Sequence, residues 1–212
     1  MIVVMKDTNI PQTSGNMWNE RYSSPEFAFG TEPNLFFKEQ LDKLKQGNLL
    51  LPADGEGRNA VYAAKNGWKV TAFDLSYEAK NKAMKLAEIK QVSIDYLVSD
   101  MEDIKFSELY FDAIALVYIH FPIDKREAYH KKLLKWLKPG GIIIMECFSK
   151  SQLRYNSGGP KDESMLLSKE VVAKDFSELE ILKLDQEIIF LHEGKYHQGE
   201  GSVVRFVGRK FN

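Results

Sequence analysis

The 212-residue chain has little of what marks exported or membrane proteins. It contains one cysteine, Cys147, so no disulfide can form within the chain. The longest apolar run, 142–148, is interrupted by Glu146 and is far shorter than the roughly 20 residues that a membrane-spanning helix needs. The first residues contain no basic segment followed by an apolar one, so we expect no export signal and a cytoplasmic protein.

The chain also lacks an excess of charge of either sign. It has 29 Lys and Arg residues against 30 Asp and Glu residues, which leaves a net charge of −1. Such a balance gives no electrostatic reason to expect nucleic acid or an anionic membrane surface as a partner. The apolar fraction of 44% is enough for one sizeable core, so we expect one domain with an appendage. We further expect a small-molecule partner, and a monomer or homodimer.

What the chain does have is a regular alternation of two patterns in its middle part. Short β-branched stretches are separated by helical patterns of ten to fifteen residues. This alternation predicts right-handed crossovers and a parallel sheet, and therefore the α/β class. The predicted strands are 49–51, 69–73, 94–98, 112–118 and 142–147, and the predicted helices are 34–46, 58–65, 77–89 and 125–137.

Three segments depart from the alternation. Residues 1–32 lack an apolar period and predict an irregular arm anchored by aromatic rings. Residues 149–164 form a Gly- and Pro-containing loop long enough to be a lid. The stretches 179–191 and 202–209, joined by the Gly-rich segment 192–201, predict an antiparallel hairpin. A single domain, 1–212, would thus comprise an arm and helix (1–46), a cofactor-binding core (47–148), a lid (149–164) and a C-terminal helix with the hairpin (165–212).

The strongest local motif lies between the first predicted strand and the helix that follows it. Residues 54–60 read DGEGRNA, where Gly55 and Gly57 let the backbone approach a ligand without an intervening Cβ. The start of the next helix offers unpaired N–H groups to an anionic or polar group. The alternative is a tight turn that needs glycine only for its geometry, and the motif alone leaves both open.

Acidic residues follow the next two predicted strands. Asp74 ends the second strand, where ligands bind in open α/β sheets, and its carboxylate can accept both hydroxyls of a ribose. Ser76 is the better cap for the following helix, which leaves Asp74 free. After the third strand, Asp100 offers a carboxylate to an exocyclic amine and Met101 an apolar side chain to a ring face; the alternative for Asp100 is an ordinary solvated aspartate at the end of a strand. These residues together predict a nucleoside site.

Several motifs in the same order resemble those of class I S-adenosylmethionine-dependent methyltransferases. The resemblance is strongest to the small bacterial tellurite-resistance and thiopurine-type methyltransferases, and it covers most of the chain. The segments that carry it are 18–22, 29–33, 54–60, Asp74, 100–101, 117–122, 137–141, 158–162 and 197–199.

This resemblance implies a Rossmann-like, doubly wound sheet of seven strands, mostly parallel, with an antiparallel C-terminal hairpin. It also implies S-adenosyl-L-methionine as cofactor, with its methionine end on the glycine loop, its ribose on Asp74 and its adenine near Asp100. The cofactor-binding residues expected on this basis are Tyr22, Phe29, Gly30, Asp54, Gly55, Glu56, Gly57, Asn59, Asp74, Leu75, Ser76, Asp100, Met101, Val117 and Tyr118.

The first-strand motif departs from the family pattern. Leu51 stands where the family usually has an acidic residue, and Ala53 stands where it has the first of three glycines. The carboxylate expected near the methionine amine is therefore missing from its place. Asp54 and Glu56 are the nearby substitutes, and the sequence does not choose between them.

On the acceptor side, the candidate catalytic residues are His120, Tyr155 and His197. His120 follows the fourth strand, where a general base or an orienting group is expected; the alternative is a histidine bonded to backbone in a turn. Tyr155 lies in the lid segment and His197 in the hairpin. The spacing of His192 and His197 fits no helix-face metal pair, so no metal is expected.

Two other functions compete with a methyltransferase that uses a small-molecule acceptor and in-line displacement. Residues 55–60 formally satisfy the dinucleotide-binding pattern, which would suit an NAD(P)-dependent oxidoreductase, but no Tyr-x-x-x-Lys pair or second catalytic domain accompanies them. A non-catalytic nucleoside-binding module is the third candidate. Methylation of adenine or glutamine nitrogen is disfavoured because residues 117–120 read VYIH, without an Asn/Asp-Pro-Pro-aromatic stretch.

Overall fold

A computed structural model describes residues 12–212 of the chain. The helices are α1 (Gln12–Tyr22), α2 (Leu35–Leu41), α3 (Arg58–Lys65), α4 (Tyr77–Ile89), α5 (Ile123–Trp136) and α6 (Lys169–Asp175). The strands are β1 (Asn48–Pro52), β2 (Lys69–Asp74), β3 (Asp95–Val98), β4 (Phe111–Val117), β5 (Leu137–Phe148), β6 (Leu179–Glu193) and β7 (His197–Lys210). Two short 3₁₀ helices, Lys150–Arg154 and Glu163–Met165, lie between β5 and α6.

The strands form one sheet in the order β3-β2-β1-β4-β5-β7-β6. The first five strands in this order are parallel, and β7 lies antiparallel between β5 and β6. The predicted α/β class, the seven-stranded mixed sheet and the antiparallel C-terminal hairpin are thereby confirmed. The strand order reverses between β1 and β4, and the carboxyl ends of these two strands are where ligands bind in such sheets.

Helices cover both faces of the sheet because alternate strand residues point to opposite sides. Leu50 of β1 faces the cluster formed with α5 and α6, whereas Leu49 and Leu51 face the cluster formed with α2, α3 and α4. The near-continuous apolar composition of the central strands follows from this burial on both faces. Among residues 12–212, no helix is long and apolar enough to cross a membrane.

The amino-terminal arm is more regular than predicted. Its described part begins with the helix Gln12–Tyr22, so the prediction of an irregular arm is wrong for these residues; residues 1–11 lie outside the described part. The next helix is shorter than predicted: Asn34 caps it by accepting a hydrogen bond from the Phe37 N–H, and it ends at Leu41 rather than near residue 46.

The hairpin is longer than predicted and its connection is shorter. β6 and β7 are joined by residues 194–196 only, and two of the three glycines predicted to lie in the connection are paired within the ladder. Gly199 is opposite Leu191 and Gly201 is opposite Ile189. A Cβ on Gly201 would approach Leu191 and Gln152 closely, so this glycine serves close packing rather than a turn.

The segment 149–164 is anchored to the sheet. The Gln152 side-chain amide donates to the Ser157 hydroxyl at 3.0 Å, and its carbonyl oxygen accepts from the Ser202 N–H of β7 at 2.7 Å. Since Gln152 is buried, these bonds hold the segment against the carboxyl end of β5. Its function as a lid stays a prediction.

Candidate cofactor and acceptor site

The glycine loop, residues 53–57, connects β1 to α3 and is held by its own aspartate. The Asp54 carboxylate accepts hydrogen bonds from the Ala60 N–H and from the Asn59 side-chain amide, both at 3.1 Å. The Asp54 backbone carbonyl accepts from the Gly57 N–H at 3.2 Å. Burial raises the pKa of Asp54 to about 7 despite these bonds. Asp54 therefore serves the loop and the start of α3.

Asp74 links the end of β2 to the glycine loop. Its two carboxylate oxygens accept one hydrogen bond each, from the Gly55 N–H and from the Ser76 N–H, both at 3.0 Å. Burial raises the pKa of Asp74 to about 6. The Ser76 hydroxyl caps α4 by accepting from the Ala79 N–H, which confirms the predicted cap. Asp74 is not free, because the Leu75 N–H also contributes to holding it, but a carboxylate accepts about four hydrogen bonds and therefore retains some acceptor capacity.

Glu56 ties the loop to α4 and to the arm. It is buried, and its carboxylate pairs with the Lys82 ammonium at 2.8 Å. The second oxygen accepts from the Phe29 N–H at 3.3 Å. Both candidate substitutes for the carboxylate missing at Leu51 are thus engaged within the protein.

The arm lies directly on the glycine loop. A Cβ built on Gly55 would stand 2.7 Å from the Tyr22 hydroxyl, so glycine at this position is what lets Tyr22 pack against the loop. The Trp18 and Tyr22 rings stack with centroids 5.6 Å apart, and Phe29 meets Tyr22 at 6.4 Å. The loop is consequently covered from one side by the aromatic rings that the sequence placed near the cofactor.

The arm also contacts the hairpin turn. Gly30 adopts a left-handed conformation with φ +76°, and a Cβ built on it would stand 3.5 Å from the Gly194 nitrogen. The Lys195 N–H donates to the Ala28 carbonyl at 3.0 Å. Gly30 therefore allows the arm to pass closely over the turn between β6 and β7.

Three positions of the loop, Ala53, Gly55 and Gly57, adopt left-handed backbone, and the first and last of them differ in what this implies. Ala53 has φ +47° although it carries a Cβ, and it occupies the place of a family glycine. Gly57 has φ +82°, and a Cβ there would stand 2.5 Å from the Ala83 Cβ of α4. The absence of a side chain at Gly57 is therefore explained by helix packing, without any ligand.

This pair gives a matched test of loop strain. Ala53→Gly is expected to stabilise the fold by about 0.5–1 kcal/mol, because relief of left-handed strain exceeds the added entropy of the unfolded chain. Gly57→Ala is expected to destabilise it by roughly 2–4 kcal/mol through strain and overpacking against Ala83. Urea unfolding of both variants measures the two changes. A Gly57→Ala variant that unfolds like the wild type and only loses ligand affinity would contradict this assignment.

The loop after β3 adjoins Asp74. The Ser99 N–H donates to the Asp74 carbonyl at 3.0 Å, and the Asp100 carboxylate accepts from the Glu102 N–H at 2.8 Å. Met101 packs in the core with Leu50 and other buried side chains. Contacts of Leu75, Asp100 and Met101 with an adenine ring stay predictions.

At the carboxyl end of β4, Val117 is followed by Tyr118 in a left-handed conformation, with φ +53°. The Tyr118 hydroxyl donates to Glu146 at 2.7 Å, and its ring stacks on Phe148 with centroids 4.8 Å apart. Burial and the nearby Glu146 carboxylate raise the pKa of Tyr118 well above its ordinary value. Tyr118 therefore remains a hydrogen-bond donor rather than a base.

His120 carries an unused lone pair. Its Nδ1 lies 2.9 Å from the Met165 carbonyl oxygen, which can only accept, so Nδ1 bears the proton. Burial lowers the pKa of His120 to about 4, and the ring is therefore neutral near pH 7. Its Nε2 is buried and has no partner among the described residues. The bond to backbone expected in the alternative is present, but it satisfies only one of the two ring nitrogens.

His197 joins the same group of rings. Its ring centroid is 4.7 Å from that of Phe29, 4.6 Å from Tyr118 and 5.3 Å from Phe148. The His120 ring lies nearly parallel to Phe148, with centroids 5.9 Å apart. We refer to these five side chains, Phe29, Tyr118, His120, Phe148 and His197, as the aromatic cluster. Two of the three candidate catalytic residues are thus brought together.

Tyr155 is not part of the aromatic cluster. It follows the first 3₁₀ helix, and its N–H donates to the Gln152 carbonyl at 2.9 Å. Within residues 12–212, neither a hydrogen bond nor a ring contact connects its side chain to His120 or His197. Its assignment as catalytic stays a prediction without structural support.

Sequence reasoning missed a buried ionic network beside the cluster. Glu146 accepts from the Asn34 amide at 2.6 Å and pairs with Arg205 at 2.6 Å. Glu193 pairs with Arg58 at 2.9 Å and accepts from Asn34 at 3.0 Å. The one available signal was Glu146, a charged residue inside the most apolar run of the chain. Across residues 12–212 no three His, Cys, Asp or Glu side chains are grouped to hold a metal ion.

Residues 52–141 match the model of the methyltransferase domain family. Among named relatives, the thiopurine S-methyltransferase of Legionella pneumophila (strain Corby) is 24% identical over 90% of this chain and 94% of its own length. The ubiquinone biosynthesis O-methyltransferase of Rickettsia canadensis is 30% identical over 49% of this chain and 44% of the relative.

Solved structures show the same fold at low identity. One, from work on the conversion of a disulfide bond into a thioacetal group during echinomycin biosynthesis, has a TM-score of 0.77 and 18% identity, with 96% of this chain and 92% of that chain covered. TehB from Haemophilus influenzae has a TM-score of 0.68 and 15% identity, with 92% and 66% covered.

The matched segment spans the glycine loop, Asp74 and the strands up to the start of β5, which include the residues expected to bind the cofactor. The match favours the methyltransferase over the oxidoreductase, which the glycine loop alone left open. The remaining acceptor capacity of the Asp74 carboxylate fits the hydroxyls of a ribose. Together the domain match and the named relatives support a class I S-adenosylmethionine-dependent methyltransferase, with S-adenosylmethionine as its methyl donor.

Proposed function

We propose that this enzyme methylates a small, uncharged thiol that binds against the aromatic cluster. The observation that carries the proposal is the buried, unpartnered Nε2 of His120. A buried polar atom without a partner costs about 1–3 kcal/mol, so its retention just beyond the carboxyl end of β4 favours a ligand that supplies the missing donor. An S–H or O–H group of the acceptor is such a donor.

The charges around the cluster favour an uncharged acceptor. Glu146 is engaged by Arg205, and Glu193 by Arg58, so neither sign of charge is left over for the acceptor. The walls themselves are aromatic rings, which suit an apolar or aromatic body.

The weak basicity of His120 favours sulfur over oxygen. An imidazole with a pKa of about 4 cannot hold the proton of either acceptor, so that proton must leave to solvent. A thiol, with an ordinary pKa of about 8.5, loses it to a few per cent near pH 7 and reacts as the thiolate, whereas an alcohol stays protonated. The relative that matches over nearly its whole length is named a thiopurine S-methyltransferase, which supports the same choice. A hydroxyl acceptor is the second candidate, because other relatives are named O-methyltransferases.

The protein's own contribution is binding and orientation. S-adenosylmethionine supplies a methyl group already activated by its sulfonium. Asp74 would hold the ribose hydroxyls, the glycine loop the methionine end, and the region of Asp100 the adenine. His120 would orient the acceptor in line with the methyl group, while the arm and the segment 149–164 exclude water. The division into arm, core, lid and hairpin parts belongs to this proposal.

A matched pair of acceptors tests the choice. We expect S-adenosylhomocysteine to form from S-adenosylmethionine with benzyl mercaptan, and at least about 10²-fold more slowly with benzyl alcohol, since a general base able to take the hydroxyl proton contributes on the order of 10² or more. Mercaptoacetate serves as the charged control and is expected to be poorly used. Faster turnover of the alcohol, or no turnover of the thiol by a protein that binds S-adenosylhomocysteine, would contradict the proposal.

A further inference from the structure

A buried hydrogen-bonded pair flanks the hairpin turn beside the aromatic cluster. Glu193 ends β6 and His197 begins β7, and the Glu193 Oε2 lies 3.3 Å from the His197 Nδ1. We infer that Glu193 is a positioning residue of the acceptor site, which holds the His197 imidazole with Nδ1–H on its carboxylate and the Nε2 lone pair toward the acceptor. This inference rests on the proposed function. It gives His197 a role at the acceptor site beside that of His120.

Glu193 is itself fixed from two sides. The Arg58 guanidinium donates to its Oε2 at 2.9 Å, and the Asn34 side-chain amide donates to its Oε1 at 3.0 Å. Burial opposes ionisation of this carboxyl group, but the hydrogen bond with His197 and the charge of Arg58 lower the pKa of Glu193 to about 2. An ionised carboxylate has no proton to give, so the proton of the pair resides on the His197 Nδ1.

The position of that proton determines what the other ring nitrogen can do. In a neutral imidazole one nitrogen donates and the other accepts, so protonation at Nδ1 leaves a lone pair on Nε2. The Nε2 edge of His197 faces Gly158, where a Cβ would stand 3.1 Å from Nε2 and 2.5 Å from Cδ2. Because glycine has no side chain, this edge is not covered by one. Whenever the His197 ring is neutral, the cluster presents lone pairs from two histidines, His120 and His197.

The same carboxylate connects the acceptor site to the cofactor loop. Arg58 is the first residue of α3, immediately after Gly57, and its other guanidinium nitrogen donates to the Phe29 carbonyl of the arm at 3.1 Å. A shift of the loop or the arm would therefore be transmitted through Arg58 and Glu193 to the His197 ring. Such orienting partners contribute by fixing tautomer and ring direction.

Nitrogen-15 NMR of histidine-labelled protein measures the tautomer directly. We expect the wild-type His197 to show a protonated Nδ1 and a bare Nε2, with the resonance assigned by its loss in His197→Gln. In Glu193→Gln we expect this pattern to change, since an amide can present its NH₂ instead of an oxygen, whereas Glu193→Asp retains the carboxylate and is expected to restore the pattern in part. Glu187→Gln is the matched control. Glu187 lies on β6, as Glu193 does, and it also pairs with an arginine, Arg205 of β7.

Turnover provides the second readout. Methylation of benzyl mercaptan by Glu193→Gln is expected to fall about 10-fold or more at saturating S-adenosylmethionine, a condition that separates loss at the acceptor site from any change in cofactor affinity through Arg58. A protonated Nε2 on His197 in the wild type, or an unchanged tautomer in Glu193→Gln, would overturn the inference. The wild-type spectrum shows the tautomer of His197 and so tests the inference even if Glu193→Gln fails to fold. Failure of the wild type to bind S-adenosylhomocysteine would instead count against the proposed function and leaves the tautomer result interpretable.

Discussion

Asp74→Ala is expected to weaken the binding of S-adenosylhomocysteine by about 10²–10⁴-fold. Each of two charge-assisted hydrogen bonds from ribose hydroxyls contributes about 1.5–3 kcal/mol, and both would be lost. The variant also removes the acceptor for the Gly55 N–H, so the loop itself loses one of its anchors. Isothermal titration calorimetry of wild type and variant measures the difference.

A matched control separates the ligand contact from general loss of charge. Asp95 on β3 is exposed, so Asp95→Ala removes an equal charge from the neighbouring strand without touching the loop. Its affinity for S-adenosylhomocysteine is expected to equal that of the wild type. Equal affinities for wild type and Asp74→Ala would show that this carboxylate does not hold the ribose.

The titration of Asp74 adds a signed pH dependence to the same experiment. Burial raises its pKa to about 6 in the protein without ligand, and ribose hydroxyls that donate to the carboxylate favour the ionised form. Below pH 6 the Asp74 carboxyl group is mostly protonated, so it must lose its proton before the ligand can bind. Affinity is expected to be constant above about pH 6 and to fall by up to tenfold per pH unit below it. Asp54→Asn is the control variant. The pKa of Asp54 is also raised, to about 7, and its carboxylate serves the loop, so this variant shows whether the pH dependence comes from Asp54 instead.

The second large effect is expected for His120→Phe. Phenylalanine preserves a flat ring beside Phe148 but removes the Nε2 lone pair that faces the proposed acceptor. Turnover of benzyl mercaptan is expected to fall by about 10²-fold, because the acceptor loses the contact that orients it, with binding of S-adenosylhomocysteine unchanged. Initial rates of S-adenosylhomocysteine formation, together with the calorimetric affinity, measure the two quantities.

Stability distinguishes a functional from a structural His120. The substitution removes a buried, unpartnered polar atom, which stabilises the fold, and a hydrogen bond to Met165, which destabilises it, so the net change in melting temperature is expected to be small. His192→Phe is the matched control, since His192 is exposed on the same hairpin as His197. A large loss of stability without a change in turnover per folded molecule would assign His120 a structural role only.

The fold was predictable where the chain has strong periodic patterns. The strands around the glycine loop and helices such as Tyr77–Ile89 match their predicted bounds closely, because burial on both faces of the sheet leaves an unmistakable apolar pattern. The helix Gln12–Tyr22 was not predictable in this way. Its sequence is mostly polar, and it is held by tertiary contacts of Trp18 and Tyr22 rather than by an apolar stripe.

The candidate site was predictable where a function depends on position along one strand. The Ser76 cap, the place of Asp74 and the place of His120 follow from strand ends. The role of Gly57 in packing on Ala83 was not apparent, because the partner belongs to another helix. The pairing of Arg58 with Glu193 joins residues 135 positions apart, and no local pattern encodes such a contact.

The central claim is that the cofactor lies at the carboxyl ends of β1 and β2, under the arm. Hydrogen exchange followed by mass spectrometry, with and without S-adenosylhomocysteine and with NAD as control, tests this most directly. The account predicts that S-adenosylhomocysteine, but not NAD, protects residues 53–60 and the end of β2, and with them the arm at 16–32 and the segment 149–164. Protection by NAD, or protection confined to segments away from the glycine loop, would contradict it.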